Sequence, residues 1–357
     1  MNENIVNFIY LIAGVLFILG IKGLTKPKTA VRGNMLSALG MLLAVVVTLL
    51  NMNTVDYTFI VAGVVVGSLV GSVMALRIQM TSMPQMVALL NGFGGGASLT
   101  IALAEYYTKL GAMPASFAEL LHPVVADSSA FGAGPEGTVA LVAIGLTVLI
   151  GALTLTGSLV AFAKLQELMK KSYGLPGGPI GNALFLIAAL VAVALVVVEP
   201  GNVAAMVTVV ALALLLGLFL VMPIGGADMP VVIALLNSYS GIAAALAGFI
   251  LGNTVLIIAG SLVGTSGLIL TRIMCVAMNR SLANVLFGKM AAGGETIDAD
   301  EVYAGKVTSA QPDEVAMLLE TAQRVVIVPG YGMAMAQAQH AVRELADAME
   351  AKGVEVE

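Results

Sequence analysis

Residues 227–241 read ADMPVVIALLNSYSG, and this segment sets the pattern for the rest of the chain. A carboxylate followed by a proline is a helix-start signal, and the residues after it are apolar except for one amide and three hydroxyls. On a helix, Asn237, Ser240, Gly241 and Ala244 share one narrow face, because they lie at i, i+3, i+4 and i+7. We expect this small and polar face to contact protein or water rather than lipid.

A second copy of the segment occurs earlier in the chain. Residues 83–91 read MPQMVALLN and align with MPVVIALLN at 229–237, and the following GFGG parallels SYSG. In this copy Asn91, Gly94, Gly95 and Ser98 form the corresponding face. The repeat predicts two related helices that build a paired polar site inside a membrane bundle. The alternative, that both asparagines only join helices by hydrogen bonds, stays open at this point.

The composition is that of a polytopic helical membrane protein. Of 357 residues, 59% are hydrophobic and only 10% are charged, and the mean hydropathy is +1.01. A net charge of -5 without a basic patch argues against nucleic acid as a partner. The single cysteine, Cys275, excludes a disulfide framework within the chain. His122 and His340 have no metal-ligand or triad partners at a telling spacing, so no metal site is predicted.

Nine spans are predicted from runs of roughly 20 apolar residues. Basic residues concentrate in the loops after the first, third, fifth and ninth spans, whereas the other loops are mainly acidic. The positive-inside rule therefore predicts an outer amino terminus and a cytoplasmic location for everything beyond Met278. The predicted spans are about 4–24, 34–51, 57–76, 84–104, 138–163, 181–198, 202–222, 229–250 and 252–278.

Small residues recur inside the spans. The tetrapeptide GSLV occurs at 67–70, 157–160 and 260–263. Small side chains let helices approach closely, and serine hydroxyls can bond across the contact. Each of the three segments is expected to pack against a neighbouring helix.

The composition changes after Met278. Residues 279–305 carry an acidic run and are predicted to be a solvated linker, and a short amphipathic helix is expected from Thr308 through Leu319. An apolar strand at 324–328 leads directly into PGYGMAMA at 329–336. A helix to about Ala351 and the beginning of another strand at 353–356 follow. Three parts are predicted, 1–278, 279–320 and 321–357.

A strand followed by Gly-x-Gly and a helix is the opening of a dinucleotide-binding βαβ unit. Gly330 permits the tight turn, Gly332 lets the backbone approach a pyrophosphate, and the helix amino terminus offers oriented N–H groups. Met335 stands in place of the third glycine. A domain of this class has about 100–150 residues and roughly 50 are present. We expect an incomplete nucleotide site, and a chain that is inactive alone.

Several segments together closely resemble the β subunit of the proton-translocating nicotinamide nucleotide transhydrogenase. The resemblance extends over essentially the whole chain. The segments that carry it are 225–241, CVAMNRS at 275–281, VPGYGMAMAQAQ at 328–339, TGSLVAF at 156–162 and MTSMP at 80–84.

The resemblance implies a function that couples proton passage through the bundle to hydride transfer. NAD(H) would be held by the partner α subunit and NADP(H) by the carboxy-terminal domain of this chain, so that NADPH is formed. Residues 1–278 would be the proton-channel domain, 279–320 the cytoplasmic linker and 321–357 the beginning of the NADP-binding domain. The residues carried over for NADP are Gly330, Tyr331, Gly332, Met333 and Ala334.

The proton path carried over from the family includes Asn91 and Asn237 with the neighbours Ser238, Tyr239 and Ser240. Asp228 would lie near the cytoplasmic end. From spacing alone, Asp228 is equally a helix-start carboxylate stabilised by the dipole or a protonatable group at the mouth of the path. The resemblance further implies a homodimer of the α–β complex in lipid, in a bacterial inner membrane.

Position 91 departs from the family pattern. Many bacterial members carry a histidine there, which suits proton relay because its pKa lies near neutrality. An amide cannot titrate in that way. Asn91 is therefore expected to hold water or a hydrogen bond, while a helix of the α subunit supplies the titrating residue.

Two other functions fit parts of the pattern. A secondary transporter would bind a small solute or cation between the repeated asparagine-bearing helices and use the carboxy-terminal unit as a nucleotide sensor. Such a transporter needs no α subunit. A structural membrane anchor is disfavoured, because an anchor needs no polar interior.

Overall fold

The computed structural model describes residues 3–51, 57–110, 131, 135–169, 178–287, 311–330, 333 and 338–357. The chain divides into two compact units, Met1–Met290 and Ala291–Glu357. The domain boundaries predicted at 278 and 320 stay predictions. His122, Tyr331, Gly332 and Ala334 lie outside the described residues.

The first unit contains helices that are long and apolar enough to cross a membrane, nine of them within the described ranges. This confirms the predicted all-α polytopic bundle. The helices are α1 Glu3–Leu24, α2 Pro27–Asn51, α3 Thr58–Arg77, α4 Met83–Lys109, α5 Pro135–Leu165, α6 Pro179–Val198, α7 Val203–Val221, α8 Met229–Leu251 and α9 Thr254–Ala277.

Helix α2 begins earlier than the sequence indicated. It starts at Pro27, a residue suited to a first helical turn, whereas the predicted span started at 34. Lys28 and Arg32 were counted as loop residues because they are charged, but both lie in the helix. Long basic side chains can direct their charge to the membrane surface while the backbone stays helical, so charge alone did not mark the boundary.

Helix α8 lies at the centre of the first unit. All six residues from Val231 to Leu236 are buried, which requires neighbours on every side of the helix. Helices α4, α5 and α9 pack against it. Residues 231–236, in the middle of the segment quoted first, are therefore enclosed by other helices of this unit.

A tight hairpin joins α8 to α9. Gly252 has a left-handed backbone with φ 63°, and the amide of Asn253 donates to the carbonyl of Gly248 at 2.9 Å, which closes the helix end. The side chain of Asn253 then accepts from the amide of Leu256 at 3.0 Å and caps α9. This two-residue connection holds α8 and α9 side by side along their length.

The three GSLV segments behave differently. Gly157 and Gly260 lie in helix contacts, since a Cβ added at either would meet an atom of α8 within 3.1 Å. Gly67 has nothing within 4 Å, and α3 has no buried residue among those described. Among the described residues the expected close packing was wrong for 67–70, because a small-residue pattern permits a helix contact without supplying the neighbour.

The residues that follow α9 pack on the bundle. Ser281 caps a short helix, α10 Leu282–Phe287, by accepting from the amide of Asn284 at 3.1 Å. Val285 is buried in the core of the first unit. This part of 279–305 differs from the predicted solvated linker, because Val285 and its neighbours carry enough apolar surface to pack.

The second unit contains a short parallel βαβ arrangement. Helix α11 Pro312–Thr321 is followed by β1 Arg324–Val325, α12 Gln339–Ala351 and β2 Glu355–Val356. Arg324 pairs with Glu355 and Val325 with Val356 in parallel register. These elements follow the order of strand, helix and parallel strand that was predicted for 321–357, and the Rossmann-like domain itself stays a prediction. Strand β1 is shorter than the predicted 324–328, and the last ladder bond runs from the amide of Ile327 to the carbonyl of Glu357 at 2.7 Å.

Candidate functional site: two asparagine helices and a charged helix end

Asn91 links the two repeated helices directly. It is buried on α4, with 7% of its surface exposed, and its Nδ2 donates to the backbone carbonyl of Ile233 on α8 at 3.2 Å. In an α-helix that same carbonyl also accepts from the amide of residue 237. The side chain of Asn91 therefore contacts the helical turn that ends at Asn237.

Asn237 and Ser240 follow on the same side of α8. A Cβ added at Gly94 of α4 would lie 2.5 Å from Ser240 Oγ and 3.8 Å from its Cβ, so Ser240 faces α4 at Gly94. By helical spacing, Asn237 lies on this face between Ile233 and Ser240. It is half-buried, and its side-chain amide makes no hydrogen bond to a described residue. Asn91, Asn237 and Ser240 thus lie together along the α4–α8 contact.

The neighbours Ser238 and Tyr239 point elsewhere. Ser238 is fully buried, and its Oγ donates to the carbonyl of Gly264 on α9 at 2.7 Å. Tyr239 lines a cavity beside α5, α6 and α7. Successive residues of a helix are about 100° apart, so a run of three hydroxyls cannot share one face. Within 238–240, the structure brings only Ser240 to the side of Asn91.

Ser158 is a polar residue of this region that the sequence did not single out. It lies on α5 with no exposed surface, and its Oγ has no hydrogen-bond partner in the described part of the chain. A Cβ added at Gly92, the residue after Asn91, would lie 3.1 Å from Ser158 Cβ. The only sequence signal was the GSLV tetrapeptide at 157–160, which indicated packing and not a polar site.

Asp228 forms an ion pair at one end of α8. Its Oδ2 lies 2.6 Å from the guanidinium Nη1 of Arg280, and 9% of the Asp228 side chain is exposed against 50% for Arg280. Asp228 makes no side-chain cap of α8. The carboxylate is held by a cation that follows α9, an arrangement that neither sequence-based interpretation of Asp228 contained.

The end of α9 is shaped to present Arg280. Asn279 has a left-handed backbone with φ 51°, a conformation that asparagine tolerates better than most residues. The amide of Arg280 donates to the carbonyl of Cys275 and that of Asn279 to Val276, which is a Schellman helix end. The chain therefore turns sharply at Asn279, and Arg280 reaches Asp228.

Lys164 holds the segment that leads to Asp228. Its ammonium, at the end of α5, donates to the backbone carbonyls of Met222 and of Ile224, the latter at 2.8 Å. The α7–α8 connection is thus bound by Lys164 on one side and by Arg280 on the other. The sequence analysis predicted neither contact, because contacts across roughly 50 to 60 positions leave no local pattern.

The nucleotide turn is described in part. The amide of Met333 donates to the carbonyl of Gly330 at 3.1 Å, so the chain turns after β1. A Cβ added at Gly330 would meet no atom of the described residues within 4 Å. His340 is exposed on α12, and among the described residues no cluster of His, Cys, Asp and Glu could hold a metal.

The family model described as NAD(P) transhydrogenase beta subunit matches residues 6–357. The chain belongs to this family. Membership in the NAD(P) transhydrogenase beta subunit family confirms the resemblance found in the sequence, and nothing in the comparisons favours the transporter interpretation.

Two curated relatives in the NAD(P) transhydrogenase beta subunit family agree with the match. Both are named NAD(P) transhydrogenase subunit beta, one from Rhodospirillum rubrum and one from a designated strain of that species. Each is 41% identical over 361 residues, covering 100% of this chain and 74% of the relative. The term beta subunit implies an alpha subunit as partner.

Proposed function

We propose that this chain works within an NAD(P) transhydrogenase complex, where its bundle carries the proton path and its carboxy-terminal unit holds NADP(H). The alpha subunit holds NAD(H) and donates or accepts the hydride. The observation that carries the proposal is the α4–α8 contact, in which Asn91 is bonded to the turn that ends at Asn237. Hydride transfer toward NADPH is driven by proton movement through this contact.

The polar path consists of groups that orient water and do not titrate. In the described helices α1–α9, every Asp, Glu, Lys and Arg lies within six residues of a helix end, and no histidine occurs. The amides of Asn91 and Asn237 and the hydroxyl of Ser240 can each donate and accept a hydrogen bond. A residue that binds and releases the proton is therefore supplied by a helix of the alpha subunit placed beside α4 and α8.

The charged end of α8 connects the path to the cytoplasmic side. Asp228, Arg280 and Lys164 fix the α7–α8 connection to the ends of α5 and α9. Proton occupancy near Asn237 alters the position of α8, and this movement changes the Asp228–Arg280 contact. Alternating access requires an element that can adopt two arrangements, and the Asp228–Arg280 ion pair is that element. The rearrangement of the ion pair transmits the movement of α8 to the NADP site.

The residues around Gly330 fit a dinucleotide. Gly330 follows β1 in a parallel βαβ unit, and ligands of such sheets bind outside the carboxyl ends of the strands. Gly330 and Met333 are the described residues that would contact NADP, and Tyr331, Gly332 and Ala334 complete the proposed set. When bound, the nicotinamide supplies the hydride chemistry, while the backbone at Gly330 positions the cofactor.

The remaining proposals concern assembly and location. The chain spans a bacterial inner membrane with an outer amino terminus and a cytoplasmic carboxy terminus, as the basic residues of alternating loops support. Two alpha–beta units form a homodimer surrounded by lipid. The chain alone, without its alpha-subunit partner, does not catalyse hydride transfer.

A substitution of Asn237 tests the proposal. Asn237→Ala in the alpha–beta complex removes an amide from the path and is expected to lower proton-coupled reduction of an NADP analogue at least tenfold, with NADP binding retained. The control is Thr208→Ala, which removes an exposed hydroxyl bonded only to its own helix α7. Fully coupled turnover in Asn237→Ala, equal to that of the control, would remove Asn237 from the mechanism.

A further inference from the structure

A cavity of about 340 Å³ lies in the first unit between helices α5, α6, α7 and α8. Its lining consists of leucine, isoleucine and one alanine, Ala183, together with two polar side chains, Asn182 at the start of α6 and Tyr239 on α8. Asn182 has no part in the proposed proton path, which follows the other side of α8. The cavity therefore calls for a separate explanation.

Asn182 lacks a partner that its burial demands. Only 6% of its surface is exposed, and its Oδ1 is buried without a hydrogen bond to any described residue. Buried polar side-chain atoms are nearly always paired, because an unpaired one loses the hydrogen bonds it makes with water. A hydrogen-bond donor from outside the described chain would supply the missing partner of Asn182 Oδ1.

Water alone suits the cavity poorly. An ordered water needs two to four polar partners, and the wall of this cavity is apolar except for Asn182 and Tyr239. A mostly apolar wall with one or two polar groups is instead typical of a small-molecule site, where the polar groups fix the orientation of an apolar body.

The cavity opens toward the outside of the bundle. Ala183 and Leu186 line it and are both exposed on α6. Because the helices of this unit are long and apolar enough to cross a membrane, this exposed face of α6 is suited to contact hydrocarbon. An occupant can therefore enter from the bilayer without crossing water.

We propose that this cavity binds a single-chain amphiphile from the membrane whose head is a hydroxyl group. The hydrocarbon chain lies among the leucines of α5, α7 and α6. The hydroxyl donates to Asn182 Oδ1, which a carboxylate head could not do. The occupant also contacts Tyr239 and Ile242, so it joins α6 to α8, two helices that the cavity otherwise separates.

The test uses the alpha–beta complex in lipid nanodiscs and a long-chain primary alcohol that carries a photoreactive diazirine. Irradiation followed by peptide mass spectrometry locates the label. We expect it on the residues of α6 and α8 that line the cavity. 1-Decanol should compete with the probe, whereas decane, which has no donor, should compete about tenfold less well. The readout does not depend on hydride transfer, so it stands apart from the proposed function.

Two comparisons between variant complexes test whether the label enters the cavity and binds Asn182. Asn182→Leu replaces the amide with an apolar side chain of similar size and should lower cavity labelling about tenfold relative to the unsubstituted complex. Ala183→Phe narrows the opening and should abolish labelling, while Ala188→Phe, exposed on α6 and away from the cavity, should not change it. Labelling spread evenly over exposed α6, absent from the cavity, or unchanged by both Asn182→Leu and Ala183→Phe would overturn the proposal.

Discussion

Because α8 and α9 are in close contact, the addition of one methyl group at Gly267 is expected to destabilise the bundle strongly. A Cβ added at Gly267 would lie 2.7 Å from the amide nitrogen of Ser238, and 2.8 and 2.9 Å from its Cα and Cβ. The first two are backbone atoms that cannot rotate away. Helix α9 must retreat by about 0.7 Å to bring the closest contact to 3.4 Å, the lower edge of ordinary contact. That retreat stretches the Ser238–Gly264 hydrogen bond, which is now 2.7 Å.

The expected cost of Gly267→Ala follows from these distances. Overpacking costs about 1–3 kcal/mol, and loss of an interhelical hydrogen bond adds about 0.6 kcal/mol. The better helix propensity of alanine offsets up to about 1 kcal/mol. We expect a net loss of about 2 kcal/mol of stability.

A matched glycine provides the control. Gly67→Ala makes the same chemical change in α3, where nothing lies within 4 Å, so its stability should be unchanged or higher by up to about 1 kcal/mol. Both variants are unfolded with dodecyl sulfate in bicelles, and helix content is followed by circular dichroism. Equal stability of the two variants would refute the close contact between Gly267 and Ser238.

Three further predictions concern the polar contacts of the bundle. Asp228→Asn should lower the free energy of unfolding by about 1–2 kcal/mol, which is less than the roughly 3–5 kcal/mol lost when a fully buried ion pair is broken, because Arg280 is half-exposed. A double-mutant cycle with Arg280→Gln should show that the two substitutions are coupled, and additive effects would contradict the ion pair. Asn91→Leu removes the bond to the carbonyl of Ile233 and should lower stability in bicelles by about 0.6 kcal/mol, an effect that Thr208→Ala should not show. Lys164→Met withdraws the ammonium from the carbonyls of Met222 and Ile224, so amide hydrogen exchange at 225–228 should become faster; an unchanged exchange rate would show that Lys164 does not hold this segment.

The helices of the bundle were predictable because their length and hydropathy are local properties. Each predicted span overlaps an observed helix. The start of α2 was missed because Lys28 and Arg32 resemble loop residues, although long basic side chains can extend from a helix to the membrane surface. The parallel βαβ unit was predictable for a similar reason, since strand, glycine turn and helix follow one another along the chain.

Of the candidate site, the sequence predicted only the part that the repeated segments 83–91 and 229–237 contain. Two copies of one pattern indicated that Asn91 and Asn237 belong together, but not that Asn91 bonds to the backbone of Ile233. The contacts of Ser158, Lys164 and Arg280 were not predicted, because they join distant parts of the chain. The position of Tyr239 depends on where α6 packs, and nothing in 238–240 encodes that position.

The most direct test of the proposed coupling uses the alpha–beta complex in proteoliposomes with a pH-sensitive dye inside. NADH and an NADP analogue are added outside, and hydride transfer and internal pH are followed together. The proposed function predicts that reduction of the analogue is accompanied by a pH change, and that both signals fall together in Asn237→Ala. Hydride transfer without any pH change, or solute-dependent currents without hydride transfer, would contradict a proton path along α4 and α8.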